Sequence, residues 1–263
     1  MFINILNNKI HYTVECADSA ANAATNTPQN IVILPGWGCS IAHYHKIQTH
    51  LAQKFKVYAI DFPGYGLSPP PEIPWSTKNY AELITAFVNS LKIEKPILIG
   101  HSLGGKVAIY LTANKMVDCQ KLILISSAGI KSQKKLSQYC KIYFRKLCKY
   151  FANLPILKPL LVAKLEAHRK KVGSQDYCNA TGVMRATLVK LVNEDWRALL
   201  PAINAPTLLL WGEKDTDTPL TNSHIMRQLI PQSKLVTFAN AGHHPFLDDF
   251  AKLINNIDEF LIP

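Results

Sequence analysis

Residues Pro96-Ile97-Leu98-Ile99-Gly100-His101-Ser102-Leu103-Gly104-Gly105-Lys106-Val107-Ala108-Ile109-Tyr110-Leu111 set the reading of the whole chain. The first four are a short apolar run of the kind that forms a buried strand. The last seven read as a helix, and between them lies a Gly-x-Ser-x-Gly turn. In a strand–turn–helix context that pattern is the nucleophile elbow, a turn so tight that its serine is held in a strained conformation. Glycines two residues to either side let the crossing backbones pass without a Cβ clash. The Ser102 hydroxyl then projects from the sheet edge toward the N–H groups that open the helix, where a developing oxyanion can be stabilised. Taken alone the motif is weak, because Gly and Ser are common in turns. Its weight depends on what accompanies it.

Outward from the elbow, short apolar runs alternate with helical patterns. Residues 2–6 and 10–14, joined through Asn7-Asn8-Lys9, read as a hairpin. Strands are expected at 31–34, 57–60 and 122–125, with helices over 42–53 and 78–91, the latter from the spacing of Leu83, Ile84, Phe87, Val88 and Leu91. The pattern resumes with a strand at 207–211, a helix at 222–229, a strand at 235–238 and a final helix over 246–261. Strands that are apolar throughout, separated by helices, indicate a mostly parallel sheet covered on both faces.

The middle of the chain differs. Leu136, Tyr139, Cys140, Tyr143, Phe144, Leu147, Cys148 and Phe151 form one apolar stripe at helical spacing, with Lys135, Lys141, Arg145, Lys146 and Lys149 on the other faces. Further helical stretches run over 160–168 and 184–192, and no strand signal returns before 207. An all-helical cap inserted in the sheet is expected, giving a core over 1–127, a cap over 128–204 and the rest of the core over 205–263. Charge marks the same boundary. Of 29 basic and 18 acidic residues, 15 and 4 fall within 126–200, so the remaining 14 of each cancel and the segment carries the entire excess of +11. Such a segment suits an anionic substrate with an apolar body, and equally lysines that solvate an outer surface. A basic amphipathic stripe also fits peripheral contact with an anionic membrane. No motif for nucleic-acid binding accompanies the charge, so no nucleic-acid partner is expected.

The length of 263 residues and 48% apolar content support one substantial α/β core. No apolar run approaches the roughly 20 residues that span a bilayer. The first six residues lack the features of a signal peptide. The cysteines at 16, 39, 119, 140, 148 and 178 form no C-x-x-C pair and no zinc spacing. Reduced thiols in a cytoplasmic protein are the expectation.

A serine nucleophile needs a base, and the base a carboxylate. Two polar clusters sit just past predicted strands, where ligands gather in open α/β sheets. One is Trp211-Gly212-Glu213-Lys214-Asp215-Thr216-Asp217-Thr218-Pro219 and the other Asn240-Ala241-Gly242-His243-His244-Pro245. With Pro35-Gly36-Trp37-Gly38 and the 61–68 stretch, these motifs give a chain that resembles the α/β-hydrolase superfamily, and within it the cap-bearing esterases and carbon–carbon bond hydrolases. The resemblance implies an α/β-hydrolase fold with an eight-stranded, mostly parallel sheet, helices on both faces and an inserted helical cap. It implies Ser102 as nucleophile, His243 as base and Asp215 as acid, with Gly212 and Pro219 matching the acid's pattern. It implies oxyanion donors at the Trp37 and Leu103 amides.

Gly36, Trp37, His101 and His244 are expected around the substrate, with His101 also shaping the elbow. Asp217 is the rival acid and His244 the rival base. Asp61 and Ser68 are expected to order their loop. His43, His45 and His50 have no acidic partner nearby in sequence and read as packed or solvated. One departure stands out, because the family's usual His before the glycine of the first loop is Pro35 here. The implied activity is that of a serine esterase acting on a small, partly apolar ester or related acyl bond, with no metal or organic cofactor. Hydrolysis of dienoate ring-cleavage products and of membrane-surface lipid or acyl groups are the alternatives.

Overall fold

The computed structural model describes residues 1–17, 29–131 and 175–262. Eight strands form one sheet: β1 (Phe2–Ile5), β2 (Asn8–Glu15), β3 (Asn30–Leu34), β4 (Lys56–Ile60), β5 (Ile97–His101), β6 (Lys121–Ile125), β7 (Thr207–Gly212) and β8 (Ser233–Phe238). Their spatial order is β1-β2-β4-β3-β5-β6-β7-β8. β1 and β2 pair antiparallel, as do β2 and β4, and every later pair is parallel. The β1–β2 loop is only two residues, Leu6 and Asn7, both at positive φ. That conformation matches the natural twist of a hairpin.

The central residues of the inner parallel strands are apolar because each face is covered. Val32, Leu34, Leu98, Leu122, Leu124, Leu209 and Trp211 point to one side. There they pack on α2 (Thr77–Ser90), α3 (Leu103–Ala113) and α6 (Leu220–Leu229) through residues such as Tyr80, Leu83, Phe87, Val107 and Met226. Ile31, Ile33, Ile97, Ile99, Ile123, Ile125, Leu208 and Leu210 point to the other. That side is closed by α1 (Ile41–Leu51) and α8 (Phe250–Leu261). The two-residue alternation thus sorts one run of side chains into two cores.

β3 lies between β4 and β5, so the loops leaving β3 and β5 diverge to opposite faces. The crevice between them is where ligands bind in open α/β sheets. The loop after β4 is fixed by buried Asp61, which accepts the Ile41 N–H at 2.8 Å and the Leu67 N–H at 3.0 Å and meets His11 Nδ1 at 2.8 Å. The Ser68 hydroxyl donates to the Asp61 carbonyl at 2.8 Å.

Between β6 and β7 the described residues hold α4 (Gln175–Asn179), α5 (Gly182–Leu191) and a 3-10 helix (Arg197–Ala202), and no strand. The expected helices over 136–151 and 160–168 lie outside the described residues. Two short helical pieces, α4 and the 3-10 helix, were not anticipated from periodicity, because neither is long enough to show a period. The expected final helix is two: α7 (Pro245–Asp248) and α8, separated by Asp249 at φ −146° and ψ 71°. The break has a cause in Asp249, whose carboxylate caps α8 by accepting the Lys252 N–H. His50 and His45 also differ from expectation, since Asp258 (2.8 Å) and Glu15 (3.6 Å) reach them from distant segments. Among the described residues no helix is long and apolar enough to cross a membrane.

One buried ion pair ties the inserted segment to the sheet's helices. Lys106 of α3, 4% exposed, donates to the carbonyl oxygens of Leu191 and Glu194 and faces the Glu194 carboxylate at 3.5 Å. That carboxylate also accepts the N–H and the hydroxyl of Thr77, which opens α2. Burial pushes the Lys106 ammonium below its ordinary range, against the opposing pull of Glu194. Removing one partner strands the other in low dielectric. Lys106→Met is expected to lower the unfolding free energy by roughly 3 kcal/mol in urea titrations, and the Lys106→Met/Glu194→Leu double variant by less.

Candidate active site

The elbow forms because residues 100–105 cannot pass under β3 otherwise. A Cβ added to Gly104 would lie 2.0 Å from the Leu34 carbonyl oxygen. Ser102 adopts φ 50°, ψ −110°, a region that L residues rarely occupy. It is held there from both sides. Its N–H donates to the Ile125 carbonyl at 3.1 Å, and its own carbonyl accepts from Lys106 (3.1 Å) and Ala128 (3.0 Å).

The two polar clusters meet at the same rim. β7 and β8 are adjacent, and the loops that follow them bond to one another, Glu213 N–H to Phe238 and Lys214 N–H to Ala241, each at 3.0 Å. His243 Nδ1 lies 2.9 Å from Asp215 Oδ2. Asp215 Oδ1 accepts the amides of Asp217 and Thr218, each at 2.9 Å, and Oδ2 accepts the Thr218 hydroxyl at 2.7 Å. Burial works to raise the Asp215 pKa. The hydrogen bond and charge of His243, with the Thr218 donors, outweigh it and hold the carboxyl below its ordinary value. The Thr218 carbonyl in turn accepts the Trp211 indole N–H at 2.7 Å, which pins the acid loop to its strand. On the histidine side, Asp248 accepts the Gly242 N–H at 2.8 Å.

Asp217 gives its backbone amide to Asp215, but its carboxylate makes no hydrogen bond to the His243 ring. Of the two aspartates, Asp215 is the one whose carboxylate meets the His243 ring. His244 sits beside the pair, its ring centroid 5.2 Å from that of His243, and burial lowers its pKa.

Ser102, His243, Trp37, Leu103 and His244 all line one cavity of about 360 Å³. Among the described residues no hydrogen bond joins the Ser102 hydroxyl to the His243 ring, a bond that often tightens only when substrate is bound. Nor does the Trp37 or the Leu103 amide donate to a protein acceptor there, so both remain available. The remaining wall is largely apolar from Ile130, Leu188, Leu191 and Val192, with Lys106, Lys131, Asp176, Glu194 and Asp217 as its charged groups. Gly36 and His101, expected around the substrate, are placed behind the wall: His101 is 1% exposed, and both ring nitrogens are committed to protein partners. Trp37 lies on the wall with its ring edge-on to Tyr65.

Sequence reading missed Thr218, Lys106, Glu194 and Tyr44. Thr218 was within reach, as a hydroxyl three residues beyond the acid. Among the described residues, two side-chain groups are close enough to share a cation: Cys39, His101 and His244, and Asp215, Asp217 and His243. In each, at least one member is already bound within the protein.

The chain is similar to known proteins. The family model described as alpha/beta hydrolase fold matches residues 29–250. The AB hydrolase superfamily protein YisY of Bacillus subtilis is 29% identical, over 88% of this chain and 90% of its own. A pimeloyl-[acyl-carrier protein] methyl ester esterase of Legionella pneumophila is 27% identical, over 88% and 94%. Among solved structures, an esterase from Exiguobacterium antarcticum superposes with a TM-score of 0.74 at 22% identity, covering 100% of this chain and 99% of its own. A meta-cleavage product hydrolase from Pseudomonas fluorescens gives 0.72 at 18%, covering 99% and 97%. At these identities the solved structures speak for the fold alone.

Asp215 bears on stability as well as on chemistry. An unfolded aspartate titrates at about 4. Because the folded value is lower, its contribution is complete above about pH 5 and is lost as pH falls through 4 toward the folded value. Asp215→Asn removes that titration, so its unfolding free energy is expected to fall less steeply than that of the wild type between about pH 5 and pH 3. Urea midpoints across that range measure the difference, and parallel curves would count against the pairing.

Proposed function

The chain belongs to the alpha/beta hydrolase family, and from that membership we propose that it is a serine hydrolase that cleaves a small, partly apolar carboxylic ester through an acyl-enzyme. Ser102 attacks the carbonyl while His243 takes its proton. Asp215 holds the imidazole by its Nδ1–H and stabilises the cation that forms. The Trp37 and Leu103 amides receive the tetrahedral oxyanion. His243 then returns the proton to the leaving alcohol and activates water for the second step.

The observation that carries this reading is the buried Asp215–His243 pair opening onto the same cavity as a serine held at positive φ. An ester is favoured over a carbon–carbon bond by the curated relatives named as esterases. The cavity volume and the α5 side chains Leu188, Leu191 and Val192 support a small substrate with an apolar part. The same residues support a cap over 128–204 that roofs the site. Charge does not argue for an anion, since the described wall carries Lys106 and Lys131 against Asp176, Glu194 and Asp217, and Lys106 is already paired. Free thiols at Cys16, Cys39 and Cys119 support a reducing, cytoplasmic setting.

A panel of p-nitrophenyl esters of graded acyl length, run beside a dienoate ketone, tests the assignment. Wild type is expected to turn over short to medium esters. Ser102→Ala should lose about 10⁶-fold in kcat, and Asp215→Asn about 10⁴-fold. Asp217→Asn is expected to stay within a few-fold. Turnover that survives Ser102→Ala would refute the triad.

A further inference from the structure

We propose that Tyr44 and His101 form a buried positioning relay that locks the oxyanion loop to the loop carrying the base. The proposal rests on the serine-hydrolase reading above and adds two residues that do not touch the substrate.

The relay is a run of hydrogen bonds through Tyr44 and His101, with the Cys39 thiol also hydrogen-bonded at the Tyr44 hydroxyl. The Gly36 N–H donates to the Tyr44 hydroxyl oxygen at 2.9 Å. Tyr44 Oη lies 2.8 Å from His101 Nδ1, and His101 Nε2 lies 2.9 Å from the His243 carbonyl oxygen. Both side chains are 1% exposed. The two ends fix the direction of the outer bonds. A backbone amide can only donate and a carbonyl can only accept. His101 must therefore carry a proton on Nε2, and in the neutral ring Nδ1 is bare and accepts from the Tyr44 hydroxyl. Only the neutral imidazole and the neutral phenol satisfy this order. Burial, chiefly, pushes the His101 pKa well below its ordinary value and that of Tyr44 well above, so both stay in those forms.

Each end of the run lies one bond or one residue from the chemistry. Gly36 immediately precedes Trp37, whose amide is the assigned oxyanion donor, so tethering the Gly36 nitrogen fixes the peptide next to the one that carries that donor. His101 immediately precedes Ser102. His243 is the base itself, held by its main chain while Asp215 holds its ring. The loop packs directly on the relay, since a Cβ added to Gly36 would fall 2.6 Å from His101 Nδ1 and 3.3 Å from Ser102 Cβ. Pro35 has no N–H to give, so the Gly36 amide is the first donor after β3 through which this loop can be anchored. Tyr44 is a firm post because it stands on α1, whose first turn is fixed by Asp61. Phe246 closes the relay from the side, with ring centroids 5.2 Å from Tyr44 and 5.1 Å from His101.

Substitutions can cut the run at chosen points. Tyr44→Phe keeps the ring and removes the hydroxyl. His101→Gln keeps a donor near Nε2 but offers nothing at Nδ1, whereas His101→Asn keeps an acceptor near Nδ1 but loses the donor. Each is measured for kcat and KM on the best ester of the panel, for melting temperature, and for affinity toward a phenylboronic acid that mimics the tetrahedral adduct. Tyr44→Phe is expected to lower kcat by about 10- to 100-fold, less than outright loss of an oxyanion donor. Boronate affinity should fall in parallel, with KM within about threefold. The two His101 variants should show the same split. Combining Tyr44→Phe with His101→Asn should cost much less than the product of the single losses, because both cut one unit.

A fall in melting temperature with kcat per folded molecule and boronate affinity unchanged would reduce these residues to packing and overturn the proposal. So would wild-type values throughout. Ser102→Ala separates the two readings. If it retains turnover, the triad fails whatever the relay variants do. If it is inactive while the relay variants match wild type, only the relay fails.

Discussion

The structure depends on holding Ser102 in a backbone conformation it would not choose. A non-glycine residue at φ 50°, ψ −110° costs on the order of 1–3 kcal/mol. That strain persists only because the surroundings leave no alternative. Ser102 is bonded through its N–H to β6 and through its carbonyl to α3 and to the loop after β6. Leu34 of β3 crosses so close to Gly104 that the turn cannot relax outward. The apolar strands on either side, buried on both faces, supply the stability that the strain consumes. The large parallel core is thus the condition for having a rigid serine at its edge.

Around that point, two buried charges are each held by a full set of partners. Asp215 is buried but surrounded by two amides, a hydroxyl and an imidazole, so it stays ionised where a bare carboxylate would take up a proton. Lys106 is buried against Glu194 and two carbonyl oxygens. The first arrangement keeps a charge ready to act beside the cavity. The second uses a charge up, joining the segment inserted after β6 to α2 and α3. Two buried charges near one cavity therefore do different things, and their partners decide which.

The legible parts of the fold were those set by local sequence. Strands such as 31–34 and 97–99 announce themselves because burial on both faces demands unbroken apolar runs, and α2 because its apolar residues repeat at 3.6. The acid and histidine loops were legible as polar clusters immediately beyond such strands. Illegible were features set by residues far apart in the chain. Lys106 meets Glu194 across 88 positions and Tyr44 meets His101 across 57, and nothing in either neighbourhood names the other. That Asp215, and not Asp217, meets the His243 ring was also out of reach, since two residues of spacing in a loop do not say which carboxylate turns inward. The break at Asp249 lies between the two. Its aspartate is a recognisable cap, but the apolar periodicity across 246–261 masks it.

Pro35 shows how a departure from a family pattern acquires a physical meaning. A proline there fixes φ near −65° and removes one donor from the loop that follows β3. Both effects shift the burden of placing Trp37 onto the next peptide. That peptide's N–H is the one held by Tyr44, and its α-carbon lies against the His101 ring. A stiff residue before Gly36 and a buried hydroxyl upon it restrict the loop from its two ends. The amide of Trp37 is left free to donate, on a backbone with little freedom to move. In an oxyanion site that is the useful combination, because donors that need not reorganise stabilise charge at the moment it develops.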